Sequence, residues 1–310
     1  MSKPKSYFVQ KRFLLEASGS PVSAYLIKAI QKAGHTAVAS DISNDCAASI
    51  FADELIIFPK KEDPQLWNKV EKLLIEHAID IVIPSFDEML LGWSERKESL
   101  ADKGVNVLIS STETIEVFQD KWLTANFFEE HKLPCAKSSL EPIYPLVKPR
   151  IGRGSVGVYI EQNSQLRNDN FKLGDISQTV LDGEEYTVDC LFDHQHHPIY
   201  IIPRKRLGVV NGKSTGGIVK QNKIIDEVVI RLSKLIKFEG PINVQCFVDK
   251  DEVFLVEVNP RIAGGMALGF ASSCNWIPLF INILDKQDIT PTSIQWGMKM
   301  YRTYQEFFQL

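Results

Sequence analysis

Cysteine is scarce and scattered in this 310-residue chain. Cys46, Cys135, Cys190, Cys246 and Cys274 form no C-x-x-C pair and keep no histidine partner at metal-ligand spacing. A disulfide framework or a zinc ribbon is therefore excluded as the organising device, and packed thiols in a reducing cytoplasm are expected. There is no basic excess either. A formal charge of −4 argues against nucleic acid or an anionic membrane as the main partner. No uninterrupted apolar run of membrane-spanning length stands out, and MSKPKSYFVQKRF lacks the apolar core of a signal peptide. Repeats and low-complexity tracts are missing as well. What is present is an ordinary globular composition, 44% hydrophobic and 24% charged, long enough for two or three subdomains around a sizeable core.

Residues 12–110 alternate strand and helix signals. Apolar runs at Arg12–Ala17, Thr36–Ser40, Ala52–Phe58, Asp80–Pro84 and Val105–Ile109 read as strands. Helical spacing marks Val22–Ala33, which closes on Gly34, then Leu66–Ala78 and Met89–Asp102. Strands alternating with helices predict a doubly wound parallel sheet over residues 1–110. A helix over Thr114–His131, with Asp120-Lys121-Trp122 in its middle, leads into short strands at Leu146–Pro149, Val156–Glu161, Ser177–Leu181, Tyr186–Asp193 and Ile199–Ile202. Beyond a loop at Lys205–Lys220, a helix over Gln221–Phe238 precedes two strands, Asn243–Asp249 and Val253–Asn259, joined at Lys250-Asp251. Leu268–Leu284 reads as a buried helix interrupted at Asn275–Pro278.

Three segments concentrate chemistry. In FLVEVNPRIAGG, Phe254–Gly265, residues Glu257, Asn259 and Arg261 alternate past an apolar run, so a strand projects them to one face. An acid and an amide oxygen suit a hard cation, and the guanidinium fork suits phosphate. A surface salt bridge at a strand edge would also produce an isolated E-x-N-x-R. In LVKPRIGRGSVGV, Leu146–Val158, glycines 152, 154 and 157 with Ser155 can turn backbone N–H groups toward an anion, and Lys148 adds a point charge. The pattern is neither a Walker loop nor a dinucleotide fingerprint, because a strand follows it; a glycine-rich hairpin without ligand is the alternative. In QTVLDGEEYTVD, Gln178–Asp189, an apolar strand breaks at Asp182-Gly183 and offers backbone groups beside a carboxylate.

In this order the three segments resemble the ATP-grasp superfamily, most closely the branch of the carbamoyl phosphate synthetase large subunit and the small carboxylate–amine ligases. The resemblance covers nearly the whole chain. It implies an α/β (α+β grasp) fold, with a pre-ATP-grasp domain over 1–110 and a two-lobed grasp over 111–310. A small lid lobe would span about 135–180 and a large lobe 181–310. It further implies ATP contacts from Lys121, Lys148, Gly152, Gly154, Ser155 and Gly157, adenine contacts from Gln178 and Val180, and a ribose contact from Glu185. Gln245, Glu257 and Asn259 match magnesium ligands for two ions, replaceable by manganese. Arg261, Lys148 and Arg206 match the groups that act on the transferring phosphoryl. Glutamate is commoner in the family where Gln178 and Gln245 stand, and the segment from Pro134 to Lys148 is short for the lid.

The implied reaction activates a carboxylate as an acyl phosphate and joins it to an amine, with small-molecule acid and amine partners; a homodimer is compatible. Bicarbonate or carbamate phosphorylation and a non-catalytic ATP-binding regulator are the alternatives. The loop Pro203–Val219 gathers Arg204, Lys205, Arg206 and Lys213 among glycines, which fits an acidic substrate as well as a solvated basic loop. Arg204, Glu88 and Gly264 are the candidates for substrate contact. Asp87-Glu88 stand at a carboxyl end of the expected sheet, where ligands bind or a helix is capped. Ser18-Gly19-Ser20-Pro21 with Asp41 lacks the full dinucleotide pattern, and His194, His196 and His197 have no acid or cysteine at ligand spacing.

Overall fold

Short apolar runs separated by amphipathic helices build the first half. Strands β1 (Arg12–Leu15), β2 (Thr36–Asp41), β3 (Glu54–Ile57), β4 (Ile81–Ile83) and β5 (Asn106–Val107) form one parallel sheet in the order β3-β2-β1-β4-β5. Alternation along the strands sends Phe13, Ala37 and Ala39 into one apolar cluster and Leu14, Val38 and Val82 into another. Both faces are covered, as a parallel sheet requires. Strand order reverses between β1 and β4, so their carboxyl ends open a crevice. The computed structural model describes residues 8–20, 23–152, 154, 156–210, 213–303 and 306–307, with only the backbone at Val209, Val210, Lys213 and Ser214.

The second half is antiparallel. A small sheet holds β6 (Ser138–Ser139), β7 (Leu146–Pro149), β8 (Tyr159–Ile160) and β9 (Asp175–Gln178) in the order β6-β9-β7-β8. The long strands follow: β10 (Glu184–Phe192), β11 (Pro198–Arg206), the ribbon β12 (Val209–Val210) and β13 (Lys213–Ser214), then β14 (Gly216–Val219), β15 (Gly240–Asp249), β16 (Glu252–Asn259) and β17 (Lys299–Tyr301). Six of these make the large sheet, β16-β15-β10-β11-β14-β17. The helix Lys223–Ser233 buries Ile225, Val229 and Leu232 against one face, and the helices Ala267–Ser272 and Ile277–Leu284 cover the other. Among the described residues no single helix is long and apolar enough to cross a membrane. The segments Gly264–Ser272 and Ile277–Leu284 reach that length and composition only as a pair bent by 95°.

Several expected elements differ. The helix over Thr114–His131 is two helices, Thr112–Gln119 and Lys121–Glu130, because Asp120 takes an extended backbone and caps the second through Trp122 N–H at 2.8 Å. Lys121 therefore opens a helix rather than sitting in its middle. Met89–Asp102 also divides, into Asp87–Met89, Leu90–Glu95 and Lys97–Ala101. The strand expected over Ser177–Leu181 lies earlier, at Asp175–Gln178, and Val180 falls beyond it. The helix Ser164–Asn170 and strand β17 carry too few apolar positions to announce themselves. The presumed loop Lys205–Lys220 holds the end of β11 and all of β14.

The halves are tied at several points. Lys97 Nζ reaches Glu239 Oε1 at 2.7 Å, and Ser110 Oγ accepts from Glu239 N at 3.0 Å. Tyr25 donates to Ala263 O at 2.9 Å and Asn275 to Ala29 O at 2.7 Å.

Candidate active site

A cavity of about 1040 Å³ opens between the parallel-sheet crevice, the small sheet and the large sheet. From the second half it is lined by Lys121, Lys148, Gly152, Gly154, Glu185, Arg204, Arg206, Gln245, Glu257, Asn259, Arg261 and Gly264. The crevice contributes Glu16, Tyr25, Asp41 and Asp87. Gly157, Gln178, Val180 and Glu88 are not on this wall, and Ser155 lies outside the described residues. Gln178 neighbours the lining residue Leu146 across β9 and β7, donates to Ser138 Oγ at 2.7 Å, and leaves its Oε1 buried without a donor. Glu88 pairs loosely with Lys61 at 3.9 Å.

The acid–amide–guanidinium end is set by strand pairing. Gln245 on β15 is in register with Glu257 on β16. Glu257 accepts from Asn259 Nδ2 at 3.1 Å, and Asn259 Oδ1 lies 3.4 Å from Arg261 Nη2. Arg261 is held mainly from the other half of the molecule, with Nε and Nη2 each 2.7 Å from an oxygen of Asp87. Burial opposes its charge, but the Asp87 carboxylate outweighs burial and the guanidinium stays above its ordinary pKa.

Asp87 is itself placed by a buried acid. Glu16, 3% exposed at the end of β1, accepts from Trp93 Nε1 at 2.6 Å and from the backbone N–H groups of Ser85 and Phe86 at 3.0 Å each. Desolvation outweighs these three bonds and pushes its pKa up to about 7. The clasp fixes the turn that delivers Asp87.

Lys148, 5% exposed on β7, has no hydrogen-bond acceptor and no ion-pair partner among the described residues. Burial lowers it to about 8, with the Glu257 carboxylate working in the opposite direction. A buried ammonium with nothing to bind asks for an anion in the cavity. Lys121 donates to Gly152 O at 2.8 Å, and Gly154 in the same loop has φ +63°, a conformation costly for other residues. Glu185 and Arg206, at neighbouring positions on β10 and β11, form an ion pair.

Deeper in the wall, Arg204 is 2% exposed and grips Asp189, 0% exposed, through Nε at 2.6 Å and Nη2 at 2.8 Å. Asn243 on β15 adds a third bond to Asp189 at 2.8 Å. Sequence reasoning assigned no role to Glu16, Tyr25, Asp189, Asn243 or Arg302. Asp189 and Asn243 did leave a signal: each is a polar residue inside an otherwise apolar strand, TVDCLF and PINVQCF. Among the described residues no three His, Cys, Asp or Glu side chains cluster as a metal site. The oxygens at the Glu257 end come instead from one carboxylate and two amides, a donor set that suits a hard divalent cation.

Comparison with known proteins finds relatives for both halves of the chain. Residues 176–304 match the family described as ATP-grasp in the biosynthetic pathway with Ter operon, and residues 14–108 match the PylC-like N-terminal domain. The arginine-specific carbamoyl phosphate synthase large chain of Bacillus subtilis is 26% identical over 229 residues, covering 64% of this chain and 22% of that one. Tyramine–L-glutamate ligase of Methanocaldococcus jannaschii is 25% identical over 211 residues, covering 65% of this chain and 62% of the relative. The chain thus spans less than two thirds of either relative. Among solved structures, the biotin carboxylase domain dimer of the Hydrogenobacter thermophilus 2-oxoglutarate carboxylase, crystallised with MgADP, ADP and bicarbonate, superposes with a TM-score of 0.72. It is 16% identical, with 94% of this chain and 74% of that one covered.

Proposed function

This chain joins a PylC-like N-terminal domain to an ATP-grasp domain, and from that premise we propose that it is an ATP-dependent carboxylate–amine ligase. A substrate carboxylate oxygen attacks the γ-phosphorus of ATP; the bond to ADP breaks, leaving an acyl phosphate. The amine nitrogen then attacks the acyl carbon, phosphate leaves, and the nitrogen loses a proton as the amide forms. The observation that carries this reading is that the buried Lys148, with no acceptor among the described residues, lines one cavity with Gln245, Glu257 and Asn259.

Lys148 and Lys121 would hold the phosphates, with glycines 152 and 154 of the loop beside them. Gln245, Glu257 and Asn259 would hold magnesium, which on binding neutralises phosphate charge and aligns the oxygens. We assign two ions there, with manganese able to replace magnesium because every ligand is oxygen. Arg261, oriented by Asp87, faces the charge that develops on the transferring group. Glu185, on the cavity wall and paired with Arg206, would meet the ribose, and that ion pair draws Arg206 away from the phosphoryl role expected of it. We place the boundary between the two domains near residue 110 and the lid over about 135–180.

ADP release should be stimulated by a carboxylic acid, with full turnover requiring an amine. Glu257→Ala is expected to lower that release by about a hundredfold and to move the magnesium dependence to higher concentration without unfolding the chain. A variant with normal turnover and normal magnesium dependence would remove the metal assignment.

A further inference from the structure

Beside the proposed phosphate end lies a second cationic wall with its own unmet donors. Arg302 follows β17, whose pairing with β14 brings the arginine to the cavity. Its backbone N–H donates to Thr215 O at 2.9 Å, and its Nη2 donates to Gly264 O. No acid pairs with it among the described residues, and its Nε is buried without an acceptor. Burial, and after it the like charge of Arg204, hold it below its ordinary pKa. Arg204 lines the same cavity. Asp189 occupies two of its nitrogens, and Nη1 has no acceptor among the described residues.

The turn between the two guanidiniums is pinned. Tyr25 holds Ala263 O and Arg302 holds Gly264 O. Gly265 lies so close to Arg204 that a Cβ there would stand 2.7 Å from Nη2. This wall thus carries two guanidiniums and one carboxylate, Asp189, which only Arg204 touches, and keeps a surplus of one positive charge with N–H groups left to donate. A single carboxylate matches that surplus, and a phosphate dianion exceeds it.

We propose that Arg302, Arg204 and the Gly264–Gly265 turn bind a second carboxylate, one that is not phosphorylated, carried by either the acid or the amine substrate. This rests on the ligase reading, so two measurements separate them. Calorimetric titration of glutarate and of alanine into the full chain with MgADP tests the subsite directly. Binding of one or both, weakened about tenfold or more in Arg302→Gln and partly kept in Arg302→Lys, is the expected result. No binding of either probe, or equal binding by wild type and Arg302→Gln, overturns the subsite whatever the turnover. MgADP titration of the same variants checks that they are folded.

ADP release then tests the reaction and identifies the carrier. Glutarate with ethylamine is compared with pentanoate plus alanine, and both with pentanoate plus ethylamine. A kcat/KM about tenfold higher in the glutarate arm puts the free carboxylate on the acid; in the alanine arm it belongs to the amine. Equal values in all three arms count against the subsite. No ADP release in any arm, with glutarate or alanine still bound through Arg302, removes the ligase reading and leaves the subsite standing.

Discussion

Two arginine–aspartate pairs do different work in this molecule. Arg204 and Asp189 sit on adjacent strands of one sheet, essentially without solvent, with Asn243 from a third strand completing the aspartate. Arg261 and Asp87 lie 174 residues apart in sequence, keep 14% and 16% exposure, and bridge the parallel-sheet crevice to the end of β16. The first pair is built into the sheet that carries the site, with Arg204 reaching the cavity wall. The second lets the N-terminal half set the direction of a guanidinium in the other half. Identical chemistry thus yields a foundation in one place and an adjustable tie in the other.

Removing Asp189 should break the foundation. Asp189→Ala strands a buried guanidinium and is expected to cost about 3–5 kcal/mol, read from urea unfolding. A loss below about 1 kcal/mol would mean that water or another group neutralises Arg204. Asp87→Asn should leave stability closer to wild type, because Arg261 is partly solvated and still reaches Asn259 and Ile262 O. Its kcat is expected to fall about tenfold while the KM for ATP moves less, since only the direction of the guanidinium changes. An Asp87→Asn variant with unchanged kcat would reduce this pair to a structural tie.

The smallest effect concerns the acid behind Asp87. Glu16 binds its proton more tightly folded, at about 7, than at the ordinary value of 4.5. The folded state therefore holds the extra proton between those values, and the stabilisation is complete below pH 4.5 and is lost as pH rises through about 7. Glu16→Gln should flatten that part of the stability–pH curve while loosening the Ser85–Phe86 clasp. An unchanged slope would assign the titration to another group.

Much of this was legible in the residues. The five parallel strands followed from apolar runs divided by helical spacing, and Glu257, Asn259 and Arg261 from a two-residue period. The gathering of Lys121, Lys148 and glycines 152 and 154 on one cavity was what the family resemblance implied. What stayed hidden was the partnering of distant segments. Asp87 next to Arg261, and Arg302 next to Arg204, come together only through tertiary packing, which no local pattern encodes. The break at Asp120 was missed for a local reason. Apolar spacing continues through it, while capping and the ion pair with Arg150 decide the backbone there. Strand β17 is three residues long with alternate positions exposed, and it exists because β14 offers an edge.

The ties between the halves bear on how such chains can be recombined. Lys97 and Ser110 meet Glu239, Tyr25 meets Ala263, and Asp87 meets Arg261, all from the parallel-sheet side. A graft of another protein's parallel sheet onto this grasp would leave Glu239 unmatched and Arg261 undirected unless positions 25, 87, 97 and 110 travelled with compatible residues. Chimeras that ignore those four positions should therefore fold as two pieces that fail to make one enzyme.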